Sequence, residues 1–232
     1  MITIPKCLAD FGLSINRFYY KQLFRSFYRG KKQHPSWFDH RIDLYYHWPH
    51  HLFWMERGVF PRRYMFEGCT VLDLFCGDGF FSHYFYCTIA DSVDAIDKDP
   101  SAIEHAKKWH SHPKIDYRVV DAVKTDFPRS SYDVIVWFEG IDHIAANEYN
   151  IVINRIKVAL GEEGVLSGSV GIISEEKQGK VHWEHQNELS SVSELHDLFS
   201  RDFDDIQIDV TVYPDLSHGK RKIGYFTVSK PK

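Results

Sequence analysis

Polar residues suited to holding a ligand follow four predicted strands of this chain, at the point where each strand ends. The first strand runs into the turn Cys76-Gly77-Asp78-Gly79, and the later ones end at Asp97, Asp121 and Glu139. Because the carboxyl ends of parallel strands meet at one edge of a sheet, we expect these groups to share a rim. Several polar groups at one rim indicate a binding site rather than packing.

The glycines of the turn and the acid after the second strand suit a nucleotide-like ligand. Gly77 and Gly79 let the backbone approach a ligand closely and adopt conformations that a Cβ atom opposes. The helix predicted to follow presents free N–H groups. Asp97 lies 20 residues after Gly77, a spacing at which an acid accepts both ribose hydroxyls. These features allow either a dinucleotide or another adenosine cofactor.

Two further residues separate these ligands. A dinucleotide fingerprint has a third glycine three residues after Gly79, where this chain has Ser82. Asp73, near the end of the first predicted strand, would repel a pyrophosphate and attract a cationic group. The electrostatics therefore favour an adenosine cofactor that carries a positive charge.

The segment VLDLFCGDG, residues 71–79, resembles motif I of the class I S-adenosylmethionine (SAM)-dependent methyltransferases in its D-x-F-x-G-x-G form. The resemblance covers about residues 69–171 in order and spacing. It implies that Asp97 binds the ribose, that Asp121 lies beside the adenine amine, and that the two glycines pack against the cofactor. We extend the predicted cofactor contacts to the neighbouring residues Asp73, Phe75, Cys76, Lys98, Ala122 and Phe138.

The elements that position these residues alternate between strand and helix, which indicates a Rossmann-like, doubly wound α/β sheet with helices on both faces. The predicted parallel strands are 70–74, 92–96, 115–120, 132–138 and 165–170. Helices are predicted at 16–28, 100–109, 148–160 and 193–199. Two further strands, 206–213 and 222–229, form a terminal hairpin that adds an antiparallel strand at one edge.

Glu139, Asp142 and His143 form an E-x-x-D-H cluster, for which we predict a catalytic role. On a helical turn these spacings share one face, where two carboxylates and an imidazole can hold one divalent cation such as Mg²⁺. The cluster is similar to the E-x-x-E-H motif of ubiquinone-pathway O-methyltransferases and small-RNA 2′-O-methyltransferases, in which a metal aligns the acceptor oxygens. His182 or His185 would add a further ligand. Two alternatives remain: His143 could act as a general base without a metal, and Asp142 could cap the next helix.

The absence of two sequence motifs limits the classes of molecule that this chain could methylate. After the fourth strand the chain reads WFEGIDHI, without the Pro-Pro-aromatic motif usual in enzymes that methylate amino groups of nucleic acids. The chain also has no Pro-Cys pair, which cytosine-carbon methyltransferases need. We therefore predict a methyltransferase that acts on an oxygen of a small polar or anionic metabolite. An RNA 2′-O-methyltransferase, a small-molecule N-methyltransferase and a non-catalytic binding module are the alternatives.

Composition changes at about residue 68. Residues 1–68 carry 11 Lys/Arg against 5 Asp/Glu and 17 of the 36 aromatic residues, whereas the remainder carries 17 against 27. We predict that residues 1–68 form a helical segment that covers the SAM site, and that residues 69–232 form the methyltransferase domain. The positive charge suggests an anionic acceptor. The aromatic candidates for the substrate pocket, most of which we expect to pack onto the sheet, are Tyr45, Tyr46, Trp48, His50, His51 and Trp54.

The basic, aromatic segment also suits RNA or, through helix 16–29, an anionic membrane surface. A pI near 6.4 and the lack of a known RNA-binding module count against RNA. No apolar run approaches the roughly 20 residues that cross a bilayer, and no secretory signal is evident. The four cysteines contain no CxxC pair. We expect a cytoplasmic protein in a reducing compartment, and the sequence indicates no oligomeric state.

Overall fold

The computed structural model describes residues 5–29, 37–47, 52–173, 185–215 and 219–232. The strands are Thr70–Leu74 (β1), Ser92–Asp97 (β2), Ile115–Val119 (β3), Tyr132–Phe138 (β4), Leu160–Ile172 (β5), Phe203–Asp215 (β6) and Gly219–Pro231 (β7). The helices are Lys6–Arg29 (α1), His40–His47 (α2), Leu52–Val59 (α3), Pro100–Trp109 (α4), Tyr149–Ala159 (α5) and Val192–Ser200 (α6). Short 3₁₀ turns at Pro61–Tyr64 and Ala146–Glu148 and a π turn at Ser82–Tyr86 complete the described elements.

All seven strands lie in one sheet, in the order β3-β2-β1-β4-β5-β7-β6. The first five strands are parallel, and β7 is antiparallel to both β5 and β6. This confirms the predicted fold class, with one correction, because the antiparallel strand is not at the edge. β7 lies between two strands, and its residues Tyr225, Phe226 and Val228 are completely buried there. The edge position belongs to β6.

The bounds of β1, β4 and α4 agree with the prediction. α4 begins where expected because Asp99 Oδ1 accepts a hydrogen bond from the Ser101 N–H at 2.8 Å, and Pro100 takes the first helical position. Other bounds differ by up to three residues, apart from two larger differences. α1 begins ten residues before the predicted 16, and β5 begins at 160 rather than 165, directly after α5. Gly161 therefore lies within a strand instead of stopping a helix.

Apolar side chains pack on both faces of the sheet. One cluster joins α3 residues Phe53 and Trp54 to Phe81, Phe85 and Tyr225. The other packs Trp137 and its neighbours against α5 and α6. The segment before residue 68 therefore supplies part of the core, and the change in composition there is not a boundary between two cores.

Within the described ranges, the helices are too short or too polar to span a membrane.

Candidate active site

Four parallel strands end at one rim, where the predicted ligand-binding residues lie. β1 lies between β2 and β4, so the loops that follow these three strands are neighbours. A single cavity at this rim is lined by predicted cofactor residues and by one predicted catalytic residue, namely Phe75, Asp97, Lys98, Asp121, Ala122 and His143. The structure thus brings the two predicted groups to one cavity, while the role of each residue stays a prediction.

The glycine turn after β1 requires residues without a side chain. Gly77 and Gly79 have φ angles of +54° and +75°, and Phe75 before them has +64°. A Cβ atom on Gly79 would lie 2.6 Å from the ring of Tyr117. Any larger residue at position 79 would therefore displace either the turn or this ring.

Asp97 is fixed by main-chain donors at the end of β2. Its Oδ2 accepts a hydrogen bond from the Gly77 N–H at 3.0 Å, and its Oδ1 accepts one from the Asp99 N–H at 2.9 Å. Burial raises the pKa of this carboxyl, and the two N–H donors oppose that shift. The carboxylate is therefore held in place on the cavity wall, across the turn from β1.

Asp121 follows β3 on the same cavity wall. Its Oδ1 accepts a hydrogen bond from the Val123 N–H at 3.0 Å, and Lys124 Nζ lies 3.1 Å from its Oδ2. Partial burial opposes ionisation, but the lysine and the N–H outweigh it and lower the pKa of Asp121. We call the turn at residues 75–79, Asp97 and Asp121 the cofactor rim.

Asp73 is oriented differently from the prediction that it faces a ligand cation. It is 5% exposed, accepts a hydrogen bond from the Ser82 hydroxyl, and does not line the cavity. Burial raises the pKa of Asp73 to about 7, and the Ser82 hydroxyl and the Arg57 charge oppose that shift. The cavity lining likewise does not include the predicted cofactor contacts Cys76, Gly77, Gly79 and Phe138 or the predicted catalytic residues Glu139 and Asp142.

Asp78, in the glycine turn, joins the N-terminal segment to the cofactor rim. This fully buried carboxylate accepts hydrogen bonds from the His40 N–H and from His40 Nδ1, both at 2.9 Å. Burial opposes its ionisation, but His40 prevails and lowers its pKa. The sequence analysis gave Asp78 no role, because nothing in the sequence indicates its pairing with a residue 38 positions earlier.

Asp142, His143 and His185 lie together at the end of the rim that follows β4, and we call them the acceptor group. His185 Nε2 is 3.1 Å from Asp142 Oδ2, and His143 Nε2 is 3.9 Å from Asp142 Oδ1. Their ligand atoms all lie within 4.8 Å of one another. His185 Nδ1 contacts Glu188 Oε1 at 2.6 Å, which orients the imidazole. The other candidate ligand, His182, lies outside the described residues.

Two details of the acceptor group differ from the prediction. Residues 139–144 form successive turns rather than a helix, and Asp142 does not cap α5. Instead, the Asp142 carbonyl accepts hydrogen bonds from the Gln186 and Asn187 N–H groups, at 2.7 and 3.2 Å. The loop after β5 is thereby fixed over the turn that follows β4.

Glu139 lies next to the acceptor group but outside the three residues that could share an ion. Its backbone has a φ of +47°, uncommon for a residue with a side chain, and its Oε1 accepts a hydrogen bond from the Ser169 hydroxyl at 2.8 Å. Burial, followed by the Glu139 charge, raises the pKa of Asp142 well above its ordinary value. Glu139 therefore acts on the acceptor group through its charge.

Arg57, on α3, is a buried cation beside the rim that the sequence analysis missed. Its guanidinium lies over the rings of Trp54, Phe81 and Phe138 at 4.8, 4.9 and 5.5 Å. Its Nη2 donates to the Phe138 carbonyl at 3.4 Å, while its buried Nε has no hydrogen-bond partner. No carboxylate among the described residues forms an ion pair with it within 4 Å. The one sequence signal for this contact is that Arg57 follows Trp54 by three residues, so both lie on the same side of α3.

Three of the aromatic pocket candidates lie within the described residues, and each contacts another side chain of the N-terminal segment. Trp54 is buried, and its indole N–H donates to Asp43 Oδ2. Tyr45 and Tyr46 stack on rings of α1, at centroid distances of 4.6 and 4.4 Å. The remaining candidates, Trp48, His50 and His51, lie outside the described residues.

Comparison with known proteins shows that part of this chain resembles methyltransferases. Residues 71–164 match the sequence model of a family described as a methyltransferase domain. The chain is 32% identical over 122 residues to a ribosomal protein L11 methyltransferase of Acetivibrio thermocellus, covering 52% of this chain and 37% of that protein. It is also 32% identical over 91 residues to a mitochondrial ubiquinone biosynthesis O-methyltransferase of Schizosaccharomyces pombe, covering 37% and 32%. The chain thus spans about a third of the length of these curated relatives.

A solved structure with the same fold contains the cofactor product. Phosphoethanolamine N-methyltransferase 2 of Haemonchus contortus, in complex with phosphomonomethylethanolamine and S-adenosylhomocysteine, matches with a TM-score of 0.62 at 15% identity. The match covers 77% of this chain and 53% of that one. The family match over residues 71–164 and the shared fold both agree with the predicted resemblance of the β1 motif to class I SAM-dependent methyltransferases.

Proposed function

We propose that this protein transfers a methyl group from SAM to an oxygen atom of a small polar acceptor that carries an anionic group. One observation carries the proposal: His143 lines the same cavity as Asp97 and Asp121. With the proposed roles, a proton acceptor and a cofactor-binding wall would face one space, as an in-line transfer requires.

The cofactor rim would bind SAM, which supplies the methyl group on a sulfonium. Asp97 would accept hydrogen bonds from both ribose hydroxyls, and Asp121 would hold the adenine amine. Gly77 and Gly79 let the chain approach the ligand without a Cβ clash. Because main-chain N–H groups already hold the two carboxylates, little reorganisation is needed on binding.

The acceptor group would prepare the acceptor oxygen. His143 would remove the hydroxyl proton as the oxygen lone pair forms its bond to the methyl carbon and the carbon–sulfur bond breaks. The rise in the pKa of Asp142 keeps that carboxyl protonated more readily than an exposed one. Asp142 and His185 would therefore position His143 and the acceptor rather than supply a second base.

The acceptor group also fits a divalent cation. Asp142 Oδ1 is buried without a hydrogen-bond partner, and the Glu188 contact to His185 Nδ1 turns Nε2 towards Asp142. In this alternative to the metal-free base, Asp142, His143 and His185 would hold the ion, which would lower the pKa of a bound acceptor hydroxyl, and His143 would not take the proton. Glu139 would complete the site only if its side chain left Ser169.

Arg57 would attract the anionic group from behind the cavity wall, since it lies against Phe138 and does not line the cavity itself. A buried guanidinium without a carboxylate within 4 Å acts on a ligand anion more strongly than an exposed lysine does, because water competes less. This agrees with the positive charge of the segment that contains it. The phosphate-bearing ligand of the Haemonchus contortus structure is an acceptor class of this kind.

The experiment measures the melting temperature with saturating SAM, and S-adenosylhomocysteine release over a panel of small acceptors. The panel pairs hydroxyl with amine analogues, and free acids or phosphates with their neutral esters. We expect SAM at about a hundred times its Kd to stabilise the fold by roughly 2.7 kcal/mol. We also expect product from hydroxylated anions. An unchanged melt would contradict SAM binding, and product from amines alone would indicate an N-methyltransferase.

A further inference from the structure

Helix α1 packs on the described protein through its second half, where Tyr20 and Phe24 stack on rings of α2. All its side chains before Tyr20 are exposed. Five apolar ones on the side away from Tyr20, here the apolar stripe, are Leu8, Phe11, Ile15, Phe18 and Tyr19, of which the last two also border an open groove of the protein. Their spacing of three, four, three and one residues places them on one side of a helix. Each of these side chains is between 54% and 65% exposed.

A row of basic side chains borders the apolar stripe. Arg17, Lys21 and Arg25 are exposed and recur every four residues, so they follow one line along the helix. Arg25 lies about two turns after Phe18, which brings this cationic row to the edge of the stripe. Asp10 is the one acidic residue in the sequence of α1.

We infer that α1 lies on an anionic membrane surface, with the apolar stripe in the lipid and the cationic row on the headgroups. Scattered exposed apolar residues are ordinary, but five on one face form a patch that calls for a partner. Aromatic residues on one face and Lys/Arg beside them are typical of helices that lie in a bilayer interface.

The charge of the row identifies the partner as lipid rather than a second copy of this chain. A second copy of α1 would offer the cationic row no complementary charge, because Asp10 is the one acidic residue of that helix. Acidic headgroups instead attract the row and leave the stripe free to enter the acyl region. The inference concerns where the enzyme works and does not depend on which acceptor it methylates.

The test is co-sedimentation of the full chain with vesicles of phosphatidylcholine alone or mixed with phosphatidylserine. We expect sedimentation with the anionic vesicles only, weakened by added salt. Replacing Arg17, Lys21 and Arg25 together by Gln should lower the partition coefficient about a hundredfold. The variant Phe11→Ser/Phe18→Ser should lower it at least about tenfold. Because these side chains are exposed, the melting temperature should not change.

Matched controls change exposed basic and exposed apolar residues at other places in the protein. Lys107→Gln/Lys108→Gln on α4, and Val158→Ser/Val212→Ser, at side chains 78% and 54% exposed, should bind vesicles like the wild type. Equal sedimentation with neutral and anionic vesicles, or none with either, would overturn the inference. A dimer in sedimentation equilibrium that needs Phe11 and Phe18, without vesicle binding, would assign the stripe to a second copy instead.

Discussion

The cofactor rim and the acceptor group lie at the same edge of the sheet but are held in different ways. At the cofactor rim, Asp97 and Asp121 accept hydrogen bonds from main-chain N–H groups. In the acceptor group, Asp142 meets the side chain of His185 from the loop after β5. Backbone donors keep their protons at every pH of interest, whereas an imidazole and a buried carboxyl exchange theirs. In the proposed function, cofactor binding therefore depends on backbone donors and proton transfer on side chains.

The variant His143→Gln should separate the two regions most clearly, because it should change kcat and not SAM binding. We expect kcat to fall by about 10²–10⁴-fold because the proton acceptor is lost. The Kd for SAM should stay unchanged. Stopped assays with the best acceptor of the panel and calorimetric titration with SAM measure the two quantities. His196→Gln, on the exposed side of α6, is the control. A large loss of SAM affinity would show that the two regions are not separable.

Asp73 lies near the cofactor rim but is held by a side chain, so it should respond to pH. Its folded pKa is raised to about 7, so from pH 4 to 7 the folded state retains a proton that the unfolded state releases. Its stabilisation is present in acid and lost as pH rises. Relative to Asp73→Asn, the wild type should lose about 3 kcal/mol between pH 4 and 8. Urea unfolding of both proteins at several pH values measures this, and parallel profiles would contradict it.

Asp97→Ala tests the region held by the backbone. We expect SAM affinity to fall about a hundredfold, because two charge-assisted hydrogen bonds to the ribose are lost. The gain in melting temperature with SAM should nearly disappear. Asp116→Ala, an exposed carboxylate on β3 paired with Arg118, is the control. Equal SAM affinity in both variants would remove Asp97 from the cofactor site.

Metal binding tests whether Asp142 of the acceptor group is a ligand of an ion. Because burial and the Glu139 charge raise the pKa of Asp142, an ion must compete with a proton for this carboxyl, and Mn²⁺ affinity should increase with pH. Isothermal titration at several pH values measures this slope. Asp142→Asn should abolish binding, whereas the exposed Asp197→Asn should not. Binding that is independent of pH, or that survives in Asp142→Asn, would assign the ion to another site.

The sequence predicted the cofactor rim better than the acceptor group because the rim is local. The turn at residues 75–79 and the cap at Asp99 involve neighbours along the chain, so their residue types indicate their geometry. His185 was predicted only as one of two candidates, and Arg57 and Asp78 were missed. Their partners come from distant segments that only tertiary packing brings together. The early start of α1 was missed because its first turns bury nothing and show no core-facing pattern.

The hydrogen bonds from His40 to Asp78 have a consequence for how this chain can be divided. A polypeptide that began at residue 69 would keep the full sheet but leave a fully buried carboxylate without two of its donors. Such an orphaned charge would open the glycine turn to solvent or take up a proton, and in either case the cofactor pocket would change shape. We therefore expect that residues 1–68 and the sheet can be transferred to another protein only together.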